Sequence, residues 1–253
     1  MGNALVRCAA RMQTVALVAA LEQKGHPAIG QDAGTTAGVD AIGVALDDDP
    51  RGFKDADVLI DFTLHNAVPG NCRAAADARR AMVIGTTGLN DEETTVVERA
   101  AGLVPIVWAP NMSLGVNLLF AMVKKAGEVL GPGYRVEIDE THHIHKKDAP
   151  SGTALRLGEK AAEGLGWDFK TALVHDAEGK GNVHADGKLL IRSFRRGEVV
   201  GDHTVSFENP GEKVELTHHA RSREAFAAGA LRAAEWVVSR RPGLYDMQDV
   251  LGL

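Results

Sequence analysis

Apolar residues fall along the first half of the chain in two periods. Leu5, Cys8, Ala9 and Met12 recur at helical spacing in residues 3–12 and predict an opening helix. The run TVALVAAL (14–21) then reads as a buried strand. Further strands are expected in ADVLIDFT (56–63), AMVIGTT (81–87) and PIVWAP (105–110), with HNAVPGNCRAAADARR and NDEETTVVERAAG as helices between them. Near-continuous apolar strands alternating with helices imply a parallel sheet covered on both faces. Gly85-Thr86-Thr87 and Pro110-Asn111-Met112 then lie just past strand ends, where open α/β sheets bind ligands. Each of these segments is also compatible with an ordinary turn.

The second half changes period. YRVEIDETHH (134–143) alternates as a half-buried strand does, and SGTALRLGEKAAEGLG (151–166) returns to helical spacing. Residues 188–220 hold three strand-like runs joined by Gly-containing turns, the pattern of an antiparallel α+β module. A helix at roughly 222–240 presents Phe226, Leu231, Trp236 and Val237, followed by a Pro/Gly turn and a short tail. Between these elements, HDAEGKGNVHADG (175–187) is polar and Gly-rich, and is expected to be a mobile surface loop.

With 253 residues, 45% of them hydrophobic, the chain has enough apolar material for one large or two modest globular domains. Its formal charge of -6 supplies no basic field for phosphate backbones or anionic lipid, so nucleic acid and membrane are not expected as partners. Cys8 and Cys72, the two cysteines, are too few for a disulfide framework and read as small core residues of a cytoplasmic protein. Neither a membrane-length apolar run nor a signal-peptide pattern is present.

The most concentrated chemistry lies in ETHHIHKKDAPSGTA (140–154). Strand alternation turns Glu140 and His142 to one face and His143 to the other, so the two adjacent histidines have different tasks. That divergence, and the absence of a neighbouring cysteine, disfavours a zinc cluster of His142, His143 and His145. Ser151 as a nucleophile is disfavoured because its place before a helix suits an N-cap. Gly152 and Thr153 put backbone N–H groups and a hydroxyl at a helix N-terminus, a seat for a carboxylate. Lys146 and Lys147 add positive charge, and an imidazole titrating near neutrality stands close by. His145 and Lys147 read as solvated loop residues, whereas His142, His143 and Lys146 read as a functional group.

The run VEIDETHHIHKKDAPSGTA resembles the signature of the 4-hydroxy-tetrahydrodipicolinate reductase family, the dihydrodipicolinate reductases of the diaminopimelate route to lysine. VLIDFT, VIGTTG, PNMSLGVN and the C-terminal FAAGALRAAEW and GLYDMQDVLGL are similar to it too, so the resemblance spans Met1 to Leu253. It implies a Rossmann-like dinucleotide-binding domain (1–112 and 223–253) and an α+β substrate-binding and oligomerisation domain (113–222), closing over an active site between them in a homotetramer. The implied reaction is hydride transfer from NADH or NADPH to a small cyclic dicarboxylate with loss of water. By the family motif, His142 is the acid/base residue and Lys146 a cationic proton donor, while His143, Gly152 and Thr153 bind substrate carboxylates. Gly85, Thr86, Thr87 and the segment Ala109, Pro110, Asn111, Met112 match positions that contact the nicotinamide half of the cofactor. Glu22, closing the strand ALVAALEQ, is placed to accept from the adenosine ribose, and the neutral Gln23 followed by Lys24 leaves both NADH and NADPH open.

The resemblance breaks at one point. A dinucleotide fold opens with a strand and a G-x-x-G-x-x-G loop, and nothing of either precedes the first helix. Aligned without gaps, Met1-Gly2 matches the end of the family's Gly-Arg-Met-Gly, which makes Met1 a cofactor-loop residue. The expectation is that Met1 is internal to that loop, with about fifteen residues upstream of it in the native protein. The competing reading is a non-catalytic dicarboxylate-binding or scaffold protein that has lost its cofactor loop.

Overall fold

The computed structural model describes residues 1–177 and 187–253, which form two compact units. The first comprises Met1–Leu114 and Arg223–Gly252, the second Gly115–Ser222 with Leu253.

In chain order the first unit holds α1 (Gly2–Ala9), β1 (Ala20–Leu21), α2 (Ala33–Ala37), β2 (Leu46–Asp47), β3 (Val58–Asp61), α3 (Val68–Ala78), β4 (Ala81–Ile84), α4 (Asp91–Ala101) and β5 (Pro105–Trp108). The second begins in α5 (Leu114–Leu130) and continues through β6 (Arg135–His142), α6 (Gly152–Leu165), α7 (Phe169–Ala172), β7 (Leu173–Ala177), β8 (Leu189–Arg195), β9 (Gly201–Glu208) and β10 (Lys213–Ala220). The chain returns to the first unit in α8 (Glu224–Val237), β11 (Gly243–Tyr245) and α9 (Met247–Leu251).

The sheet of the first unit has the order β11-β5-β4-β3 and is parallel throughout. Alternation along β4 divides its apolar residues between two cores. Met82 and Ile84 pack with Val68, Cys72 and Val97 of α3 and α4, while Ala81 and Val83 pack with Ala230, Ala234 and Val237 of α8. Both faces are covered, which is why the strand is apolar at every position. Helix α8 comes so close to the chain that a Cβ on Gly229 would lie 1.8 Å from the Met112 carbonyl oxygen. Cys8 and Cys72 are free and buried, and burial pushes the Cys72 thiol up to about 12.

The stretch 14–21 departs from expectation. Only Ala20–Leu21 is a strand, pairing in parallel with Leu46–Asp47 in a separate two-stranded sheet. This pair bonds along one edge, with Ala20 and Leu46 packed against Val6, Ala33, Ala37 and Ile42, and residues 14–19 stay partly exposed and irregular. The tail also differs: β11 joins the edge of the four-stranded sheet beside β5, and Asp246 caps α9 with a capping box.

The sheet of the second unit, β10-β9-β6-β8-β7, is mixed rather than antiparallel. β6 runs parallel to β8 and antiparallel to β9. Helix α5 has no counterpart among the predicted elements, although Val116, Leu119, Phe120 and Val123 follow the helical period and pack with α6 onto Val136, Ile138, Leu189, Ile191, Val205 and Phe207. The polar stretch 175–187 begins as the end of β7, and 178–186 lie outside the described residues. No helix of the described residues is long and apolar enough to cross a membrane.

Candidate active site

The covered face of the second unit's sheet changes character along its strands. On β6 the inward positions run Val136, Ile138, Glu140, His142; on β8 they run Leu189, Ile191, Ser193, Arg195; on antiparallel β9 they run Phe207, Val205, His203, Gly201. The apolar half lies under α5 and α6, and the other half is polar on all three strands at once. Register sets His142 opposite Arg195 and Glu140 opposite His203.

Glu140 is fully buried. One of its carboxylate oxygens, Oε2, faces His142 Nδ1, and the other, Oε1, accepts from both terminal nitrogens of Arg195, each at 3.1 Å, and from the Ser151 N–H at 3.2 Å. Burial alone would raise this carboxyl, but hydrogen bonds from His142 and Ser193 and the charges of His142 and Arg195 outweigh it and hold the group down at about 2. Glu140 is therefore an anion that can only accept, so Nδ1 of His142 carries a proton and Nε2 is the nitrogen left for chemistry. Nε2 lies against Gly201, where a Cβ would come within 3.0 Å of it.

Ser151 is the N-cap of α6, its Oγ accepting from the Ala154 N–H at 3.1 Å. The same Oγ lies 3.2 Å from Nε2 of His203, a serine–histidine contact. Ser151 is 2% exposed and holds the helix end, which makes the contact structural. Burial, followed by the charge of His142, pushes His203 down to about 3, and its Nδ1 has no hydrogen-bond partner.

The loop after β6 carries Lys146, whose ammonium lies 2.8 Å from the Asp148 carboxylate. That carboxyl is lowered, because the Lys146 hydrogen bond overcomes the raising effect of burial. Gly152 and Thr153 open α6, beyond a cis Ala149–Pro150 peptide. His143 is turned away from His142 and lies beside His145, ring centroids 6.0 Å apart. His145 reaches only the exposed Glu198, at 3.5 Å. The histidines expected to diverge do so, and among the described residues the group within metal-ligand distance of one another is Glu140, His142 and His203. Arg195 already matches the charge of Glu140 there.

In the first unit, a cavity of about 330 Å³ is lined by Met1, Phe62–His65, Gly85, Thr86 and Thr87. It sits past the carboxyl ends of β3 and β4, the position at which open parallel sheets bind ligands. Gly85 is required there because a Cβ would meet the Phe62 ring at 2.3 Å. Thr86 is buried, with its hydroxyl 2.7 Å from the Asp61 carboxylate, which also accepts from Thr63 and Asn71. Met1 is the N-cap of α1 and makes no side-chain cap hydrogen bond there. Ala109 and Met112 have core side chains, 3% and 1% exposed, so only Pro110 and Asn111 of that segment present side chains outward. Glu22 follows β1 and is not among the residues lining the cavity.

Sequence reasoning missed Arg195, His203, Gly201 and Asp61. For the first three the signal was present as polar or small residues continuing the inward period of β8 and β9, where the preceding positions are apolar. Asp61 closes the apolar run of β3 as a buried charge.

The first unit is thus an open parallel sheet with a cavity at its strand ends, and the second carries an imidazole, an ammonium and a helix N-terminus along and just after β6. Residues 1–112 match the family described as "Dihydrodipicolinate reductase, N-terminus", and residues 115–251 match "Dihydrodipicolinate reductase, C-terminus". The chain belongs to the dihydrodipicolinate reductase family. It is 50% identical over 254 aligned residues to the 4-hydroxy-tetrahydrodipicolinate reductase of Anaeromyxobacter dehalogenans (strain 2CP-1), covering 100% of this chain and 94% of that protein. The corresponding enzyme of Alkalilimnicola ehrlichii is 45% identical, with 100% and 95% covered. Among solved structures, the dipicolinate-bound dihydrodipicolinate reductase from Paenisporosarcina sp. TG-14 superposes with a TM-score of 0.75 at 21% identity, over 98% of this chain and 94% of that one. The activity is thus the nicotinamide-dependent reduction of 4-hydroxy-tetrahydrodipicolinate in lysine and diaminopimelate biosynthesis.

Proposed function

We propose that His142 is the acid of this reduction, that Lys146 assists as a cationic proton donor, and that the N-terminus of α6 with His143 holds the substrate carboxylates. The observation that carries this reading is the burial of Glu140 against His142 Nδ1, which leaves Nε2 as the working nitrogen, while the N-cap residue of α6, Ser151, donates its N–H to the same carboxylate. The substrate is a small cyclic dicarboxylate. Reduction adds a hydride and a proton and releases water, giving tetrahydrodipicolinate and the oxidised cofactor. Hydride delivery leaves negative charge on the substrate, and His142, protonated on both ring nitrogens before the transfer, gives up its Nε2 proton to quench it and is left as the neutral Nδ1–H form. Gly152 and Thr153 bind and orient one carboxylate through backbone N–H groups and a hydroxyl, and Lys146 adds positive charge nearby.

NADH or NADPH, when bound, supplies the hydride. Met1, Gly85, Thr86 and Thr87 would hold it at the strand-end cavity, with Ala109, Pro110, Asn111 and Met112 on the neighbouring turn and Glu22 toward the adenosine ribose. Support for the fit is the Gly85 backbone, kept bare by the Phe62 ring, beside the N-terminus of α1. Glu22 suits the ribose hydroxyls of NADH, and the neutral Gln23 followed by Lys24 leaves NADPH usable as well. Residues 1–112 and 223–253 serve as the cofactor domain and 113–222 as the substrate domain, through which the protein assembles as a cytoplasmic homotetramer.

Oxidation of NADH and of NADPH, followed with freshly generated substrate, tests the assignment. His142→Ala is expected to lower kcat by about 10²–10⁴-fold, the usual worth of a positioned proton donor, with little change in cofactor affinity. Equal loss of turnover and of cofactor binding would reject the acid role.

A further inference from the structure

We infer that Glu140 and Arg195 form a positioning pair that sets the tautomer of His142 and ties the 146–148 backbone to it. This rests on His142 being the acid proposed above. Neither residue needs to touch substrate, since both act through groups that do.

The two Glu140 oxygens have separate tasks. Oε2 faces His142 Nδ1, and Oε1 takes Arg195 Nη1 and Nη2 at 3.1 Å each. Arg195 lies directly opposite His142 in the β6–β8 register, and its guanidinium engages the carboxylate oxygen that does not face the imidazole. The remaining donors of the fork are also engaged. Nε donates to the Lys146 carbonyl at 3.3 Å, Nη1 to the Phe194 carbonyl at 2.7 Å and Nη2 to the Asp148 carbonyl. A single planar group thus links the carboxylate that orients the imidazole to the backbone on both sides of Lys147. Among ordinary side chains only a guanidinium has enough donors in fixed directions for this.

Catalysis gains in two ways. An ionised carboxylate on Nδ1 holds the ring in one tautomer and one rotation, as the buried aspartate of a Ser-His-Asp triad does for its histidine. The guanidinium also balances the carboxylate's charge, so His142 does not face an unmatched buried anion that would retain its proton. Lys146 is steadied as well, because its loop is anchored at the residues that carry the ammonium and its Asp148 partner.

Glu140→Gln tests the pair. The amide keeps the shape, but its NH₂ can donate to Nδ1 and stabilise the opposite tautomer. The expected result is a fall in kcat of at least about tenfold, within the range available to proton transfer, with KM changed much less. In the 15N spectrum of the neutral ring, His142 should move from the Nδ1–H toward the Nε2–H form, a change that a merely structural role would not produce. Parent kcat with the Nδ1–H tautomer retained overturns the inference. Should Glu140→Gln fail to fold, Arg195→Lys keeps the charge but cannot bridge the carboxylate and both loop carbonyls. It should then lower kcat by about tenfold while dicarboxylate binding persists, and parent kcat in that variant equally overturns the pair. His142→Ala with parent kcat would instead remove the acid assignment, which separates the two failures.

Discussion

His203 stands edge-on to His142, the two ring centroids 5.1 Å apart with their planes at 76°. The pair is asymmetric in environment. One imidazole has a carboxylate at Nδ1, whereas the other is enclosed, bonded to Ser151 and held neutral by burial.

That asymmetry predicts acid sensitivity in two stages. His203 sits at about 3 in the folded protein and near 6.5 unfolded, so the unfolded chain takes up a proton first and stability falls as pH drops from 6.5 toward 3. Glu140, at about 2 folded and 4.5 unfolded, stabilises above 4.5 and loses that contribution between 4.5 and 2. Of these two groups only His203 acts between pH 6.5 and 4.5, with a slope approaching about 1.4 kcal/mol per pH unit. Urea titrations across that window should show a shallower slope for His203→Asn than for the parent; identical slopes would refute the assignment.

Gly201→Ala should lower turnover without unfolding the protein. The new methyl arrives 3.0 Å from His142 Nε2 and 3.6 Å from a His203 ring carbon, and it crowds the His142 nitrogen that is left for chemistry. A loss of kcat of about tenfold or more, with a melting temperature within a few degrees of the parent, is the expected pattern, since one positioned proton donor is worth about 10²–10⁴-fold. Unaltered kcat would show that Nε2 is not the working atom.

In the first unit, Gly85→Ala sets a methyl against the Phe62 ring at 2.3 Å, so either the ring or the Gly85–Thr87 turn must shift. Overpacking of this kind costs roughly 1–3 kcal/mol. Fluorescence titration should show weakened NADH and NADPH binding, and Phe62→Leu in the same chain should restore part of it. Cofactor affinity equal to the parent's in Gly85→Ala would remove the turn from the cofactor site.

The helix seat is tested by Thr153→Ala, expected to weaken binding of dicarboxylate product analogues by about tenfold, roughly the worth of one hydrogen bond to a charged group. Asp148→Asn releases Lys146 from its ion pair and should tighten the same analogues. Calorimetry decides both, and unchanged affinity in the two variants would place the carboxylate elsewhere.

Much of the fold and site is legible in the sequence because short-range chemistry repeats the fold. Alternation along β6 is enough to assign Glu140 and His142 to one face, and Ser151 is recognisable as a cap from its place before the helical period. The parallel sheet of the first unit follows from strands apolar at every position, such as Ala81–Ile84. What local pattern conceals is pairing at a distance. Arg195 and His203 are separated from Glu140 by more than fifty residues, and only the β8–β6–β9 order makes them neighbours. Direction is equally hidden, since the residues of β8 do not say whether it runs with or against β6. The two-residue β1 shows the opposite failure, an apolar run whose strand character depends on neighbours that local pattern cannot supply.

The three-strand order has a consequence for how this site tolerates change over evolutionary time. Glu140, His142, Arg195 and His203 are held together by ladder bonds that take no part in the reaction, so the alignment of the strands acts as a vernier for the chemistry. Inserting one residue between Leu189 and Arg195 would leave the sheet nearly intact and still turn the guanidinium to the opposite face. Surface substitutions can therefore accumulate freely on these strands, whereas single-residue changes in length cannot. The expected lineage signature is drift in side chains with a fixed count of residues from Val136 to His142, from Leu189 to Arg195 and from Gly201 to Phe207.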